Sequence, residues 1–141
     1  MNNSRNRAII TDSSLMDAAK DLNALMQPGY INVDYTDIGA DDMIAVITSA
    51  SASGVTRMTE VFNNIRKSTV WEDFDINASE KMLIKILCAK SSAHPITAEE
   101  MSLIVEFSSK LPCTVNFKWA IGVDPSLGES VKVIVFASGQ L

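Results

Sequence analysis

The sequence predicts a small α+β domain with two layers, in which a four-stranded mixed sheet carries two helices on one face and an amphipathic helix precedes the sheet. The chain has 141 residues, which is the size of one domain with a single core. Its composition, 47% apolar and 21% charged, is typical of a globular protein. Apolar residues recur with helical or strand spacing in the order helix, β-α-β-α-β-β, and this order is typical of two-layer α+β folds.

Charge and hydropathy narrow the classes of partner. The net charge of −5 comes without any cluster of Lys or Arg, which argues against nucleic acid or an anionic membrane as the main partner. No segment approaches the ~20 apolar residues of a membrane span, and Arg5 and Arg7 precede too short an apolar run for a secretory signal. We therefore expect a cytoplasmic protein with neither nucleic acid nor membrane as partner.

The first part of the chain contains one predicted helix. Residues 1–11 are polar and irregular, and we expect a flexible lead-in there. From residue 12 the apolar positions follow helical spacing as far as Met26, and Pro28-Gly29 ends the helix. The apolar face of this helix needs a partner, either its own domain or another one.

The middle of the chain reads as strand, helix and connector. A buried strand begins at Met43 and continues to Ser53, after which Gly54 marks a turn. Helical spacing then runs to Arg66-Lys67, through the apolar residues Val55, Met58, Val61, Phe62 and Ile65. The connector 70–76 should close one edge of the core with its apolar residues Trp71, Phe74 and Ile76.

The second half has the clearest helix start. Residues 81–89 alternate as a strand with one face on the core and with Lys85 on the other, only partly polar, face. Thr97 is placed as an N-cap with Glu100 as its reciprocal partner, and Pro112 ends the helix that follows. Two alternating strands, 113–121 and 131–137, flank an Asp124-Pro125 turn, which predicts an antiparallel hairpin.

The cysteines and the single histidine offer little chemistry. Cys88 and Cys113 lie in apolar runs without a C-x-x-C pair, so we expect buried free thiols. His94 stands beside Pro95 and is expected to be a solvent-exposed turn residue rather than a base or a ligand. We expect no zinc site, and no metal or cofactor bound by this chain alone.

The most informative stretch for function is Pro28–Asp37, which reads PGYINVDYTD. Within six positions, Asn32, Asp34 and Asp37 offer one amide and two carboxylates. Such a set can orient a water molecule, hold a cation or cap the next helix. The residues alone leave these three roles open.

This stretch resembles the loop that follows the central helix of FtsZ, the bacterial tubulin-like cell-division GTPase. The resemblance extends in order over residues 12–139, and its other sharp points are 53–57, 71–76 and the closing Asp124-Pro125 and Ala137-Ser138-Gly139 positions. It identifies 12–141 as an FtsZ/tubulin-like C-terminal domain, with the end of the central helix at 12–27. It also implies that Asn32, Asp34 and Asp37 are catalytic in trans, helping to activate water on the GTP of a neighbouring subunit in a filament.

The chain carries no nucleotide cradle of its own. Its six glycines are isolated from one another, whereas a phosphate-binding loop needs clustered glycines at a helix start. Autonomous GTPase activity is therefore not expected, and GTP would be held by an FtsZ-type partner. Two alternatives stay open: an interaction or regulatory domain that caps or modulates tubulin-like filaments without chemistry, and an unrelated small enzyme or ligand-binding domain that uses the Asp pair with a divalent metal. Self-association is also open.

Overall fold

The computed structural model describes residues 7–26, 43–89 and 94–140. These residues form five strands, β1 Arg7–Thr11, β2 Met43–Ala52, β3 Lys81–Cys88, β4 Asn116–Val123 and β5 Val131–Gln140. The helices are α1 Leu15–Met26, α2 Arg57–Arg66, the single turn α3 Val70–Asp73 and α4 Ala98–Ser109. Two 3-10 turns, Ile76–Ala78 and Pro125–Leu127, complete the described elements.

The strands form one mixed sheet in the order β1-β2-β5-β3-β4. β1 runs parallel to β2, and β4 runs parallel to β3. The central strand β5 is antiparallel to both of its neighbours, so the other four strands all point the same way. The predicted α+β class is confirmed, with one strand more than predicted.

The additional strand is β1, which lies where the sequence predicted an irregular lead-in. Residues 7–11 pair with residues 43–47 of β2, and Ile10 packs against the core. The corner after β1 is tied down by Asp12, whose Oδ2 accepts hydrogen bonds from the hydroxyls of Thr48 and Ser68. A strand of only five residues is stable here because it pairs with the edge of the longer strand β2. The local sequence of residues 7–11 does not reveal this pairing.

The predicted hairpin between the last two strands is wrong. β4 pairs with β3 at the edge of the sheet, and β5 crosses to the other side of β3. Both faces of β5 are apolar and buried, with Val133 and Val135 on one face and Ile134 and Phe136 on the other. Apolar clusters cover both faces in the middle of the sheet, so a strand that is apolar on both faces fits the centre, and β4 takes the edge.

The sheet separates two apolar clusters. The larger contains α2, α4 and the connector 70–76, packed on residues such as Val46, Ile84 and Val133. The smaller lies on the opposite face and joins Leu25 of α1 to a set drawn from three strands: Ile47, Leu83, Leu87, Ile134 and Phe136. Two helices therefore share one face, as predicted, while α1 adds a layer on the other.

Two local predictions from the sequence are confirmed. Thr97 and Glu100 form a reciprocal capping box at the start of α4. Trp71, Phe74 and Ile76 pack at the margin of the larger cluster, as expected for a connector that closes the core. Val55, which the helical spacing included in α2, instead lies fully exposed in the turn before the helix.

Candidate functional site

The predicted site residues Asn32, Asp34 and Asp37 lie outside the described residues. The elements on both sides of them are described. The chain leaves the described part at Met26, at the end of α1, and returns at Met43, at the start of β2. The structure therefore shows how the ends of this stretch are held, and the end of α1 is the more informative of the two.

Two lysines from the sheet bind the C-terminal half of α1. Lys132 of β5 forms an ion pair with Asp21, with Nζ 2.8 Å from Oδ1. Lys85 of β3 donates a hydrogen bond from Nζ to the backbone oxygen of Ala24, also at 2.8 Å. Because β5 and β3 are neighbours in the sheet, successive turns of α1 contact successive strands, and the helix crosses the sheet in a fixed direction.

Lys85 is buried to an unusual degree for a lysine. Its side chain has no exposed surface, and its strand neighbours Leu83 and Leu87 belong to the apolar cluster under α1. Burial lowers the pKa of the Lys85 ammonium, because the interior disfavours the charged form. The sequence pattern placed Lys85 on a partly polar strand face, and the structure places that face beneath α1.

Gly122 of β4 provides the space for this lysine. A Cβ atom at Gly122 would lie 2.6 Å from Cε of Lys85 and 2.9 Å from Cδ2 of Leu87, which is closer than carbon atoms pack. The glycine is thus required by close approach rather than by a turn. Beside it, a cavity of about 200 Å³ is lined by residues of α1, β3 and the end of β4, among them Lys20, Asn23, Lys85 and Asp124. This cavity is smaller than the sites that hold drug-sized ligands.

A second charged cluster is centred on Arg57 at the start of α2. Its guanidinium donates two hydrogen bonds to the Glu100 carboxylate, from Nε to Oε2 at 2.7 Å and from Nη2 to Oε1 at 2.9 Å. It also donates to the backbone oxygens of His94, Pro95 and Glu129. Arg57 therefore ties α2 to the loop before α4 and to the loop before β5.

The Arg57 cluster is structural rather than nucleophilic. The hydrogen bond from Arg57 lowers the pKa of Glu100, and the same bond raises the pKa of Arg57, so both groups stay ionised as a pair. The neighbouring thiol of Cys88 has its pKa raised by burial, which disfavours a reactive thiolate. Sequence reasoning recognised the capping role of Glu100 and missed its pairing with Arg57.

The cysteine and histidine predictions have mixed outcomes. Both cysteines are free, but Cys88 is only half-buried and Cys113 is exposed, so the expectation of buried thiols is wrong for Cys113. His94 is exposed in a bend, as predicted. Within residues 7–26, 43–89 and 94–140, no three His, Cys, Asp or Glu side chains are grouped as a metal site would require.

The chain matches known proteins in sequence and in structure over about nine tenths of its length. It is 30% identical over 132 residues to the cell division protein FtsZ of Porphyromonas gingivalis, and the alignment covers 91% of this chain and 28% of that protein. In structure, the empty FtsZ dimer of M. jannaschii matches 89% of this chain and 36% of its own, with a TM-score of 0.70 and 26% identity. The chain is an FtsZ-like C-terminal domain. No family model matches it.

Further relatives agree with this assignment. The FtsZ-like domain is 27% identical over 135 residues to the cell division protein FtsZ 1 of Thermococcus kodakarensis, covering 92% of this chain and 35% of that protein. The GTPγS-bound protofilament of CetZ2 from Haloferax volcanii matches with a TM-score of 0.50 at 13% identity, which supports the fold alone. The FtsZ-like domain spans about a third of the length of the FtsZ proteins it matches. Within its described part, no helix combines the length and the apolar character needed to cross a bilayer.

Proposed function

We propose that this FtsZ-like domain acts in cell division in the cytoplasm by docking on a GTP-loaded FtsZ-type subunit. There it presents Asn32, Asp34 and Asp37 to the partner's nucleotide and completes the GTPase site in trans. The observation that carries the proposal is the agreement between the PGYINVDYTD motif and the similarity to FtsZ over 91% of the chain.

The chemistry of the three residues suits this role. A carboxylate within hydrogen-bond reach of a water molecule can accept its proton as the water attacks a phosphorus atom, and a second carboxylate or an amide can orient it. Positioning of this kind requires a firm base for the segment that carries the residues. The anchored end of α1, four residues before Pro28 at Ala24, supports the proposal by supplying such a base.

The test is a GTPase titration. A full-length FtsZ is assayed for phosphate release with increasing amounts of this chain, and the chain alone serves as the blank. We expect the rate to rise and the blank to release no phosphate. Asp37→Ala should abolish the stimulation, whereas Asp73→Ala, which removes the same charge at an exposed position of α3, should keep it.

The alternative function is a domain that binds tubulin-like filaments without chemistry. Two observations favour it: the similarity to FtsZ, and the isolated glycines of this sequence, which form no phosphate-binding loop, so that the residues at hand are better suited to binding than to chemistry. This alternative predicts that the added chain lowers the GTPase rate of FtsZ. It also predicts that Asp34→Ala and Asp37→Ala bind the filament as well as the unsubstituted chain does, as measured by co-sedimentation.

A further inference from the structure

We propose that Lys85 is a positioning residue: it fixes the last turn of α1, and the activation proposed for Asn32, Asp34 and Asp37, which follow that helix in the sequence, depends on it. The inference rests on the proposed function for its consequence. Its structural basis, the contact between β3 and the end of α1, stands on the described residues alone.

Lys85 binds a backbone oxygen at the end of α1. Ala24 is two residues from the end of α1, so its carbonyl is one of the last four in the helix, which have no partner within the helix. The 2.8 Å hydrogen bond from Lys85 supplies that partner. A cation at this end also interacts favourably with the helix dipole, and α1 has no basic residue of its own in its last turn.

The fold leaves a specific space for the Lys85 side chain. The Lys85 side chain is wholly buried, and Gly122 on the next strand leaves the room that its Cε and Nζ occupy. Packing an apolar cluster alone would favour an apolar side chain here, because burying an ammonium costs free energy. The hydrogen bond to the Ala24 oxygen offsets part of that cost, and it holds the end of α1 on β3.

Lys85 and Lys132 hold different parts of α1. The Lys132–Asp21 ion pair holds the middle of α1, a full turn before Met26. The Lys85 bond holds the last turn itself. Losing Lys85 should therefore loosen the end of α1 selectively, while the rest of the helix stays on the sheet.

The experiment compares three variants at a temperature where all are folded. Lys85→Met keeps the apolar stem and removes the ammonium, and Gly122→Ala keeps the ammonium and displaces it. Lys67→Met is the matched control, because Lys67 is an exposed lysine at the end of α2, which packs on the opposite face of the sheet from α1. Two quantities are measured: amide hydrogen exchange of residues 23–26 against that of α4, and activation of FtsZ GTPase as a function of added chain.

We expect exchange in the last turn of α1 to accelerate about tenfold or more in Lys85→Met and Gly122→Ala, as befits the loss of a charged hydrogen bond, with α4 unchanged. We expect maximal GTPase activation to fall in the same two variants by a larger factor than the half-saturating concentration rises. If Lys85 only stabilised the fold, the maximal activation would not fall by a larger factor than the half-saturating concentration rises. Lys67→Met should match the unsubstituted chain in both readouts.

Three outcomes would overturn the proposal, and they are distinguishable. Unchanged exchange in Lys85→Met would show that Lys85 does not fix the helix end. Faster exchange with full activation would show that the fixed end does not matter for activation. If the unsubstituted chain fails to activate FtsZ, the proposed function fails and the positioning role fails with it, while the exchange data still decide whether Lys85 anchors α1.

Discussion

Replacing Arg57 with methionine is expected to destabilise the domain by about 3 kcal/mol. The methionine stem can occupy the space of the arginine stem, so the change removes chiefly the guanidinium. Its two contacts with Glu100, at 2.7 and 2.9 Å, and its 2.8 Å hydrogen bond to the backbone oxygen of His94 are lost. The bonds to Pro95 and Glu129, at 3.3 and 3.4 Å, are weaker and contribute less.

The magnitude follows from the burial of the pair. The Arg57 side chain is 5% exposed and that of Glu100 is 16% exposed. Removing one partner of a buried pair typically costs about 3–5 kcal/mol, because the other charge is left unpaired. The lower end applies here, since Glu100 keeps its hydrogen bond from the Thr97 backbone and reaches some water. For a domain of this size the loss corresponds to a fall in Tm of roughly 10 °C.

Urea unfolding followed by circular dichroism at pH 7 measures this loss. The midpoint should fall with an unchanged m-value, because the surface exposed on unfolding is the same. Arg66→Met makes the same substitution on the exposed side of α2, beside the Phe107 ring, and should cost less than about 1 kcal/mol. In combination with Glu100→Gln, the Arg57→Met cost should shrink by at least about 1 kcal/mol. A cost below 1 kcal/mol for Arg57→Met, or full additivity with Glu100→Gln, would refute the description of this pair as the clamp between α2 and the two loops.

Four further predictions concern pH, capping, the first strand and metal. The pKa of Glu100 in the folded protein is below its ordinary value of 4.5. Its stabilising contribution is therefore fully present above pH 4.5 and is lost as the pH falls through the pKa of the folded protein. Glu100→Gln should flatten the fall of unfolding free energy measured between pH 6 and 3. Thr97→Ala should cost about 1 kcal/mol in urea unfolding through the lost cap of α4, whereas Thr114→Ala, at an exposed position, should cost little. Deleting residues 1–11 should lower Tm and promote aggregation, because it uncovers the edge of β2, and an unchanged Tm would show that β1 contributes nothing. Mg²⁺ or Ca²⁺ should leave Tm unchanged in a thermal-shift assay; a rise of several degrees that Asp34→Ala or Asp37→Ala abolishes would instead favour a metal site.

Elements whose signals are local could be predicted from the sequence. The capping box of Thr97 and Glu100 is a four-residue pattern that stabilises its own helix start, and the structure contains it. Met58, Val61, Phe62 and Ile65 repeat with helical spacing, and all four are buried in the larger cluster. In each case the residues that make the signal are also the residues that make the contacts.

Features that depend on distant partners could not be predicted so well. The strand Arg7–Thr11 is too short to be recognised without the edge of β2 that accepts it. The position of β5 had a readable signal, since the run from Val131 to Ala137 is apolar on both faces apart from Lys132, which is typical of a central strand. The turn residues at Asp124-Pro125 predict a hairpin between the last two strands. This local signal is stronger than the one by which the apolar run predicts a central strand.

The two buried anchors, Lys85 and Arg57, show the same limit. Lys85 interrupts an apolar strand, which is a sign of burial with a specific partner, but only the fold identifies that partner as the Ala24 carbonyl. Arg57 meets Glu100 across 43 positions of sequence, and no local pattern connects them. The roles of Asn32, Asp34 and Asp37 stay predictions from the motif and its resemblance to FtsZ.

The pairing of Met43 with two other strands has a practical consequence. Met43 lies opposite Arg7 of β1 on one side and opposite Gln140 of β5 on the other. The backbones of Arg7 and Gln140 are therefore two strand spacings apart, or about 10 Å. A linker of a few residues spans that distance, so the domain is suited to backbone cyclisation, or to circular permutation with new termini in the turn at the fully exposed Val55. A permuted chain would join β1 covalently to the central strand β5 and protect this edge strand from fraying.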